Sequence, residues 1–355
     1  MSQAIKLGDV SDIPIVNFAP FLDGSNKQAV ADAMIQSFKN TGFVYLVNHS
    51  LPKDKVNEMF AWSKKFFALP IQTKMLAPHP SSGMYPRGYS PPGKEKASQH
   101  VYDANELEKL RVQAPDVKES FEVGREDDPM ANIWLPDGVL PGFKEASLDF
   151  FWACREVQLT ILRALSLGLH LDEDYLEKCH TVAENQLRLL HYPRYITVEK
   201  ASEMRFLTSA SSVPIEQIER HEVERIGAHS DFGSITLLLQ DDAGGLEIED
   251  HYNPGTFIAA TPVEGAIIVN AGDFLMRWSN DMIKSTIHRV RAPPNKRAAD
   301  GMAPERYSIP YFCSADFTRV VDCLPGTYSD DKPKKYEPIS AYQYVMTRLN
   351  ALYAS

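Results

Sequence analysis

The residues best suited to chemistry lie in the stretch GAHSDFGSITLLLQDD, which occupies positions 227–242. It contains a His-x-Asp pair, His229 and Asp231, followed by a short apolar run that is typical of a β-strand. Side chains two residues apart in a strand project from the same face, so an imidazole and a carboxylate are expected to converge there. Such a pair suits two ligands of one metal ion, and a third ligand must come from elsewhere in the chain.

The candidate for the third ligand is His288, in the strand-like run STIHRVRAPP, from which it could meet the pair across a barrel. A lone histidine in a strand is equally well explained as a satisfied core residue, so spacing alone leaves its role open. Two histidines and one carboxylate, with three open positions, are the ligand set of non-haem Fe(II) oxygenases. Zinc accepts the same residue types in hydrolytic sites.

Two further polar residues, Arg306 and Ser308 in RYSIPYF, favour iron over zinc. They are two positions apart and share a strand face, where a guanidinium and a hydroxyl together form a receptor for a carboxylate. A hydrolytic zinc site has no evident need for this second anion anchor. The five residues together therefore favour an iron site that also binds an organic acid.

The composition is ordinary for a globular protein of this size, with 355 residues, 44% hydrophobic residues and a formal net charge of -10. The acidic balance argues against nucleic acid and anionic membrane surfaces as partners, because both favour basic patches. The sequence contains no recognisable signal peptide and no apolar stretch of membrane-spanning length. Its four cysteines form no C-x-x-C pair and no disulfide framework, which predicts a reducing, cytoplasmic location.

The order of the predicted elements indicates one domain over residues 1–355. Helical periodicity predicts a helix-rich scaffold in about residues 1–180, and a helix at about 340–352 ends the chain. Short strands separated by turn residues dominate about 185–325. This pattern predicts a mainly β protein with flanking helices, whose core is a distorted double-stranded β-helix, or jelly roll. The polar, irregular segment 194–225 is predicted to be a long loop.

The ordered set of metal and anion residues resembles the Fe(II)- and 2-oxoglutarate-dependent oxygenases of the isopenicillin N synthase-like family. Within that family the fungal thymine 7-hydroxylases look closest, and the resemblance covers nearly the whole chain. It includes RGYSPPGKEK at 87–96, PDVKESFEVGRED at 115–127, LRLLHYP at 187–193 and VNAGDFLMRWSNDMIKSTIHRV at 269–290.

The resemblance implies a cofactor and two co-substrates. The two histidines and the aspartate would hold Fe(II), whose open positions would accept 2-oxoglutarate and dioxygen. The far carboxylate of 2-oxoglutarate would lie on Arg306 and Ser308. Tyr192 matches a tyrosine that often adds a hydrogen bond to this co-substrate.

The resemblance also implies contacts with the organic substrate. Arg188 matches an arginine that bonds the polar edge of the substrate, and Phe312 matches an aromatic residue that packs on its ring. Strand parity places both on the same faces as the predicted co-substrate residues. An ion pair would equally explain Arg188, and core packing would equally explain Phe312. Phe232 departs from the family pattern, because the thymine enzymes carry tyrosine there and a polar contact near the iron is lost.

These features predict a dioxygenase that oxidises a C–H bond of a small organic molecule, as monomer or homo-oligomer. Thymine-like oxidation and tailoring of fungal secondary metabolites are both expected reactions. The main alternative is an oxidase of the same fold that does not use 2-oxoglutarate, since Arg-x-Ser can also hold a substrate carboxylate. A non-enzymatic protein on a decayed oxygenase fold is a weaker alternative, because the triad and the anion anchor are both intact.

Overall fold

The computed structural model describes residues 13–80, 86–95, 116–194, 224–293 and 303–353. The helices in these residues are α1 (Ala19–Leu22), α2 (Lys27–Asn40), α3 (Lys53–Phe67), α4 (Ile71–Lys74), α5 (Phe143–Gly168), α6 (Asp273–Trp278) and α7 (Ala341–Tyr353). The strands are β1 (Ile15–Asn17), β2 (Phe43–Val47), β3 (Gly88–Ser90), β4 (Glu119–Val123), β5 (Gln186–Tyr192), β6 (Ile226–His229), β7 (Ile235–Gln240), β8 (Leu246–Glu249), β9 (Phe257–Ala259), β10 (Ile267–Ala271), β11 (His288–Val290), β12 (Arg306–Cys313), β13 (Val320–Val321) and β14 (Ile339–Ser340).

The N-terminal helices begin and pack as their sequence periodicity predicts. The side-chain oxygen of Asn26 accepts a hydrogen bond from the backbone N–H of Ala29 at 3.4 Å, which caps α2. The 26-residue α5 buries residues around much of its circumference, since it packs against α2, α3 and the sheet. No helix in the described parts of the chain is both long and apolar enough to cross a membrane.

The strands form two main sheets. One has eight strands in the order β1-β2-β10-β7-β12-β5-β4-β3, and the other has four in the order β6-β11-β8-β9. All the pairings within these two sheets are antiparallel except that of β1 with β2. A separate pair, β13 and β14, leads into α7.

Side-chain alternation gives the eight-stranded sheet two different faces. Leu187 and Leu189 of β5 join the helices in one apolar cluster. Leu190 and Tyr192 of the same strand join residues of β6, β8 and β11 in a second cluster, so the two sheets pack face to face. The predicted jelly-roll core with flanking helices is therefore confirmed.

Three details differ from the sequence-based prediction. The strand β6 ends at His229, so Asp231 lies in the turn before β7 rather than on a strand with it. His288 lies on β11, which pairs directly with β6 rather than meeting it across a barrel. The strand β4 is absent from the sequence-based prediction, because the run that contains ESFEV is polar and charged. The predicted loop lies, in its positions 195–223, outside the described residues.

The packing predicts which of two neighbouring aromatic residues on α5 stabilises the fold. Phe151 is fully buried and meets Tyr311 of the sheet at 5.2 Å between ring centroids, whereas the adjacent Trp152 is 46% exposed. Phe151→Ala should lower the free energy of unfolding by about 3–5 kcal/mol. Trp152→Ala, the matched control, should change it by less than about 1 kcal/mol in a denaturant titration. Equal effects of the two substitutions would contradict this packing.

Candidate metal and co-substrate site

Two histidines and one aspartate meet where the small sheet faces the large one. The ligand atoms of His229, Asp231 and His288 all lie within 4.8 Å of one another. His288 stands directly opposite His229 in the antiparallel pairing of β11 with β6, and their ring centroids are 4.4 Å apart. The Nε2 atom of His288 is 3.7 Å from Oδ1 of Asp231. This spacing allows one metal ion to contact all three side chains.

Hydrogen bonds outside the triad orient its two imidazoles. Nδ1 of His229 lies 2.8 Å from the carbonyl oxygen of Gly227, and Nδ1 of His288 lies 3.1 Å from that of Thr286. A carbonyl only accepts, so each Nδ1 carries the proton and each Nε2 keeps its lone pair. This is the tautomer that a metal-ligating histidine needs.

The carboxylate of Asp231 is oriented in the same way. Its Oδ2 accepts hydrogen bonds from the Thr236 hydroxyl at 2.6 Å and from the Asn270 amide at 2.7 Å. Thr236 and Asn270 stand opposite each other in the pairing of β7 with β10, so the large sheet fixes the carboxylate. Oδ1 remains directed at the histidines.

The electrostatics favour the unprotonated form of His229 and of Asp231. Burial, reinforced by the neighbouring His288, lowers the pKa of His229 to about 4. Burial alone would raise the pKa of Asp231, but the two histidines and the hydrogen bonds from Asn270 and Thr236 outweigh it and lower the pKa. A neutral imidazole beside a carboxylate is the state that binds a divalent cation.

Close backbone packing holds the turn that carries Asp231. A Cβ added to Gly272 would lie 2.2 Å from the carbonyl oxygen of Gly233, so the two chains meet there without room for a side chain. The backbone N–H of Asp273 donates to the carbonyl of Asp231 at 2.8 Å. The carboxylate of Asp273 in turn accepts a hydrogen bond from Ser230 at 3.0 Å.

The C-terminal helix α7 packs against the outer side of the same turn. Arg348 of α7 pairs with Oδ2 of Asp273 at 2.7 Å, and its guanidinium carbon lies 4.6 Å from the ring centroid of Phe232. Val345 and Met346 of this helix also line the cavity. The sequence-predicted residue Phe232 therefore lies in the same turn as Asp231 and contacts α7 through Arg348.

A buried cation occupies a second region of the same cavity. Arg306 is 1% exposed and donates to the Ser308 hydroxyl at 2.8 Å and to Oε1 of Gln240 at 3.1 Å. Its guanidinium carbon lies 4.9 Å from the ring centroid of Tyr192. Both hydrogen-bond acceptors are neutral, and Nε has no partner among the described residues. A buried guanidinium without a bonded carboxylate fits a site for the carboxylate of a ligand.

The predicted substrate residues lie in the cavity wall. Arg188 pairs with Glu122 at 2.6 Å and with Glu95 at 3.2 Å, and Glu95 also accepts from Lys118 at 2.7 Å. The guanidinium carbon of Arg188 lies 5.6 Å from the ring centroid of Phe312. Burial alone would raise the pKa of Glu95, but Arg188 and Lys118 lower it well below its usual range. Two cations and two carboxylates therefore balance here.

One cavity brings together all the residues that sequence reasoning singled out, namely His229, Asp231, His288, Arg306, Ser308, Tyr192, Arg188, Phe312 and Phe232. Sequence reasoning missed the residues that orient them, such as Thr236, Asn270 and Glu122. A polar residue inside an otherwise apolar strand, as Asn270 is in IIVNA, is the one signal that could have revealed them.

A jelly-roll core with a two-histidine, one-carboxylate cluster and a buried arginine in one cavity defines a non-haem metal oxygenase. The chain belongs to the 2OG-Fe(II) oxygenase superfamily, whose family model matches residues 184–315. Residues 13–137 match the model of the N-terminal region of non-haem dioxygenases in morphine synthesis. The chain is therefore an enzyme, a dioxygenase that uses Fe(II), 2-oxoglutarate and dioxygen.

Fungal relatives match over nearly the full length of both chains. A 2-oxoglutarate-dependent dioxygenase of Dothideomycetidae sp. (strain 11243) is 36% identical over 347 residues, covering 96% of this chain and 97% of the relative. A proline hydroxylase of Petromyces alliaceus is 33% identical, with 96% and 100% covered. The thymine 7-hydroxylase of Neurospora crassa, crystallised in complex with alpha-KG and thymine, is 39% identical. It superposes with a TM-score of 0.81, covering 98% of this chain and 99% of the hydroxylase.

The hydrogen bond from Asn270 to Asp231 predicts a loss of metal affinity when it is removed. Asn270→Ala leaves the carboxylate with one of its two side-chain donors, and loss of such an orienting partner typically weakens metal binding about 10- to 100-fold. Anaerobic equilibrium dialysis with Fe(II) measures the effect. Asn253→Ala, in an exposed turn, serves as the control and should bind like the parent protein. An Asn270→Ala protein of unchanged affinity would show that Asp231 needs no such support.

Proposed function

We propose that His229, Asp231 and His288 hold the Fe(II) ion, and that Arg306 and Ser308 bind the far carboxylate of 2-oxoglutarate. The observation that carries this assignment is the pairing of two features in one cavity. One potential ligand atom from each of the three side chains lies within 4.8 Å of the other two, and a buried guanidinium bonded only to neutral acceptors lies in the same cavity. Tyr192, against the face of that guanidinium, is assigned to the co-substrate as well.

The chain's own residues bind, orient and exclude water in this assignment. Fe(II) held by these three residues would supply the activation of dioxygen, with 2-oxoglutarate as the two-electron donor. Decarboxylation of 2-oxoglutarate to succinate would take up one oxygen atom, and the other would enter a C–H bond of the substrate. The apolar lining, which includes Phe43, Leu246 and Val290, keeps bulk water from the metal. The Nδ1–H bonds of the two histidines keep their rings from rotating away.

The organic substrate is assigned to the wall formed by Arg188 and Phe312. The charge of Arg188 is already offset by Glu122 and Glu95. The carboxylates of Glu122 and Glu95 would repel a substrate carboxylate bound at Arg188. A neutral substrate edge with a carbonyl group therefore fits better. Phe312, with Arg188 over its ring, offers an apolar surface to a flat body. Phe232 has no hydroxyl to add a polar contact near the metal.

The proposed reaction is oxidation of a C–H bond in a small, neutral molecule with a carbonyl edge. One complex of the Neurospora hydroxylase holds thymine, which has these features, and another holds 5-formyluracil. The proline hydroxylase relative is named for a different substrate. We therefore propose that this chain acts either on a pyrimidine or, in fungal secondary metabolism, on a metabolite that carries an amide or similar carbonyl.

The alternative of an oxidase that dispenses with 2-oxoglutarate is not favoured. Relatives such as the Dothideomycetidae protein are named as 2-oxoglutarate-dependent dioxygenases, and the structure of the Neurospora hydroxylase contains alpha-KG. If Arg306 binds the far carboxylate of 2-oxoglutarate, it is not available to bind a carboxylate of the substrate.

The location and organisation of the protein are further parts of the proposal. All four cysteines, Cys154, Cys179, Cys313 and Cys323, are buried and free, which is consistent with a reducing cytoplasm. We propose a single domain over residues 1–355, in which the helices and the β core share one apolar cluster. The oligomeric state stays a prediction of monomer or homo-oligomer.

Substrate-dependent succinate formation tests the proposed function. A panel of pyrimidines, cyclic amides and apolar amino acids is incubated with the iron-loaded enzyme, and succinate and oxidised product are measured together. At least one neutral carbonyl compound should raise succinate formation with matching product. Arg188→Met should lose this coupled turnover while Fe(II) and 2-oxoglutarate still bind.

His229→Ala is the control that should abolish turnover of every compound. If Arg188→Met oxidises the active compound normally, Arg188 is a structural ion pair rather than a substrate contact. If no compound needs 2-oxoglutarate for its oxidation, the oxidase alternative is correct.

A further inference from the structure

A second buried arginine stands beside the predicted co-substrate site. Arg225, immediately before β6, is 1% exposed, and its guanidinium carbon lies 5.9 Å from the ring centroid of Tyr192. The ring of Tyr192 is the same one that Arg306 contacts at 4.9 Å. Two guanidiniums therefore share one buried aromatic residue that lines the cavity.

No hydrogen bond of Arg225 to the described residues brings a negative charge to its guanidinium. Its Nη2 donates to the carbonyl oxygen of Pro304, while its buried Nη1 has no hydrogen-bond partner among the described residues. Neither Arg225 nor Arg306 bonds to a carboxylate in the described parts of the chain. Burying a cation with only neutral acceptors is costly, and proteins rarely retain such a group without a compensating anion.

One carboxylate among the described residues, that of Asp241, acts electrostatically on both arginines. Its oxygens are already occupied, because Oδ2 accepts from the backbone N–H of Tyr307 at 2.7 Å and Oδ1 from that of Ala243 at 3.0 Å. Among the described residues, neither buried cation thus has a hydrogen-bonded anion, and the carboxylate of Asp241 acts on both only from a distance. Burial and the nearby charge of Arg306 lower the pKa of Arg225 to about 10, which is the direction expected for a buried cation beside another cation.

We infer that Arg225 is a positioning and specificity-determining residue for the co-substrate. Its charge acts through Tyr192 and Arg306 to make the anion pocket selective for an oxo acid with a second carboxylate. This inference rests on the proposed role of Arg306. When 2-oxoglutarate binds, its far carboxylate supplies the missing negative charge, so both guanidiniums become compensated at once. Without the ligand, the two cations repel each other.

Binding of two oxo acids to the anaerobic, iron-loaded enzyme separates this role from a structural one. The probes are 2-oxoglutarate and 2-oxobutanoate, which keeps the metal-chelating end but lacks the far carboxylate. Arg225→Met should weaken 2-oxoglutarate binding about 10- to 100-fold, as expected for one charge at a distance of several ångströms. Its affinity for 2-oxobutanoate should remain unchanged. Arg225→Lys, which restores the charge, should recover much of the loss.

Turnover and stability give two further readouts. The KM for 2-oxoglutarate should rise in Arg225→Met with little change in kcat. The melting temperature of the ligand-free variant should not fall, because an uncompensated cation has been removed. Arg289→Met is the matched control, since Arg289 pairs with Glu247 at 2.8 Å and is assigned to neither ligand. It should bind both oxo acids like the parent enzyme.

Arg306→Leu distinguishes failure of this inference from failure of the proposed function. If Arg306→Leu loses 2-oxoglutarate binding while Arg225→Met keeps it, the inference is wrong and the proposed function stands. If Arg306→Leu binds 2-oxoglutarate normally, the proposed anion site itself is wrong. A lower melting temperature of Arg225→Met, with equal loss of both oxo acids, would assign Arg225 a structural role and overturn the inference.

Discussion

The register between β6 and β11 is the constraint on which the site depends. It places His288 opposite His229, so that two imidazoles from distant parts of the sequence face one point. A slip of one residue would turn one imidazole to the other face of the sheet and leave the metal with two ligands. The apolar cluster between the sheets, which includes Ile226 and Val290 of these same strands, opposes such a slip. Packing of the core and geometry of the metal site are therefore set by the same strands.

The cavity also contains several buried charges, and their balance differs from place to place. Beside the predicted substrate wall, Arg188 and Lys118 form ion pairs with Glu95 and Glu122 within the described part of the chain. Around Arg306 and Arg225, neither guanidinium is hydrogen-bonded to a carboxylate of the described residues. A neutral substrate and a dianionic co-substrate are therefore expected in different parts of one cavity. The distribution of charge, rather than a wall of side chains, is expected to direct the two ligands to separate regions.

Much of the site could be predicted from sequence because its residues follow strand parity. Arg306, Ser308 and Phe312 alternate along β12, and Arg188 and Tyr192 along β5, so period two alone placed them on common faces. The jelly-roll class likewise followed from short strands separated by turns. Residue type and order alone also led to the expectation that His229, Asp231 and His288 cluster, while their role as ligands stays a prediction.

Other features, such as the strand β4 and the burial of Arg225, depend on contacts that no local sequence pattern shows. The strand β4 contains Glu119 and Glu122, and its polar sequence gives no strand signal. In the structure Glu119 is buried by partners far along the chain, Lys74 at 2.6 Å and His191 at 2.7 Å. The sequence pattern places Arg225 at the end of the predicted polar loop, and nothing in the neighbouring sequence indicates that its side chain is buried. Contacts between residues far apart in the chain decide both cases, and sequence spacing does not record them.

A crystal structure of the enzyme grown anaerobically with Fe(II) and 2-oxoglutarate tests the central claim most directly. Anomalous scattering at the iron edge locates the metal independently of the protein coordinates. The account predicts one iron peak within bonding distance of Nε2 of His229, Nε2 of His288 and the carboxylate of Asp231. It also predicts that the far carboxylate of 2-oxoglutarate lies on Arg306 and Ser308. An iron peak away from these three side chains, or a co-substrate whose far carboxylate lies elsewhere, would contradict it.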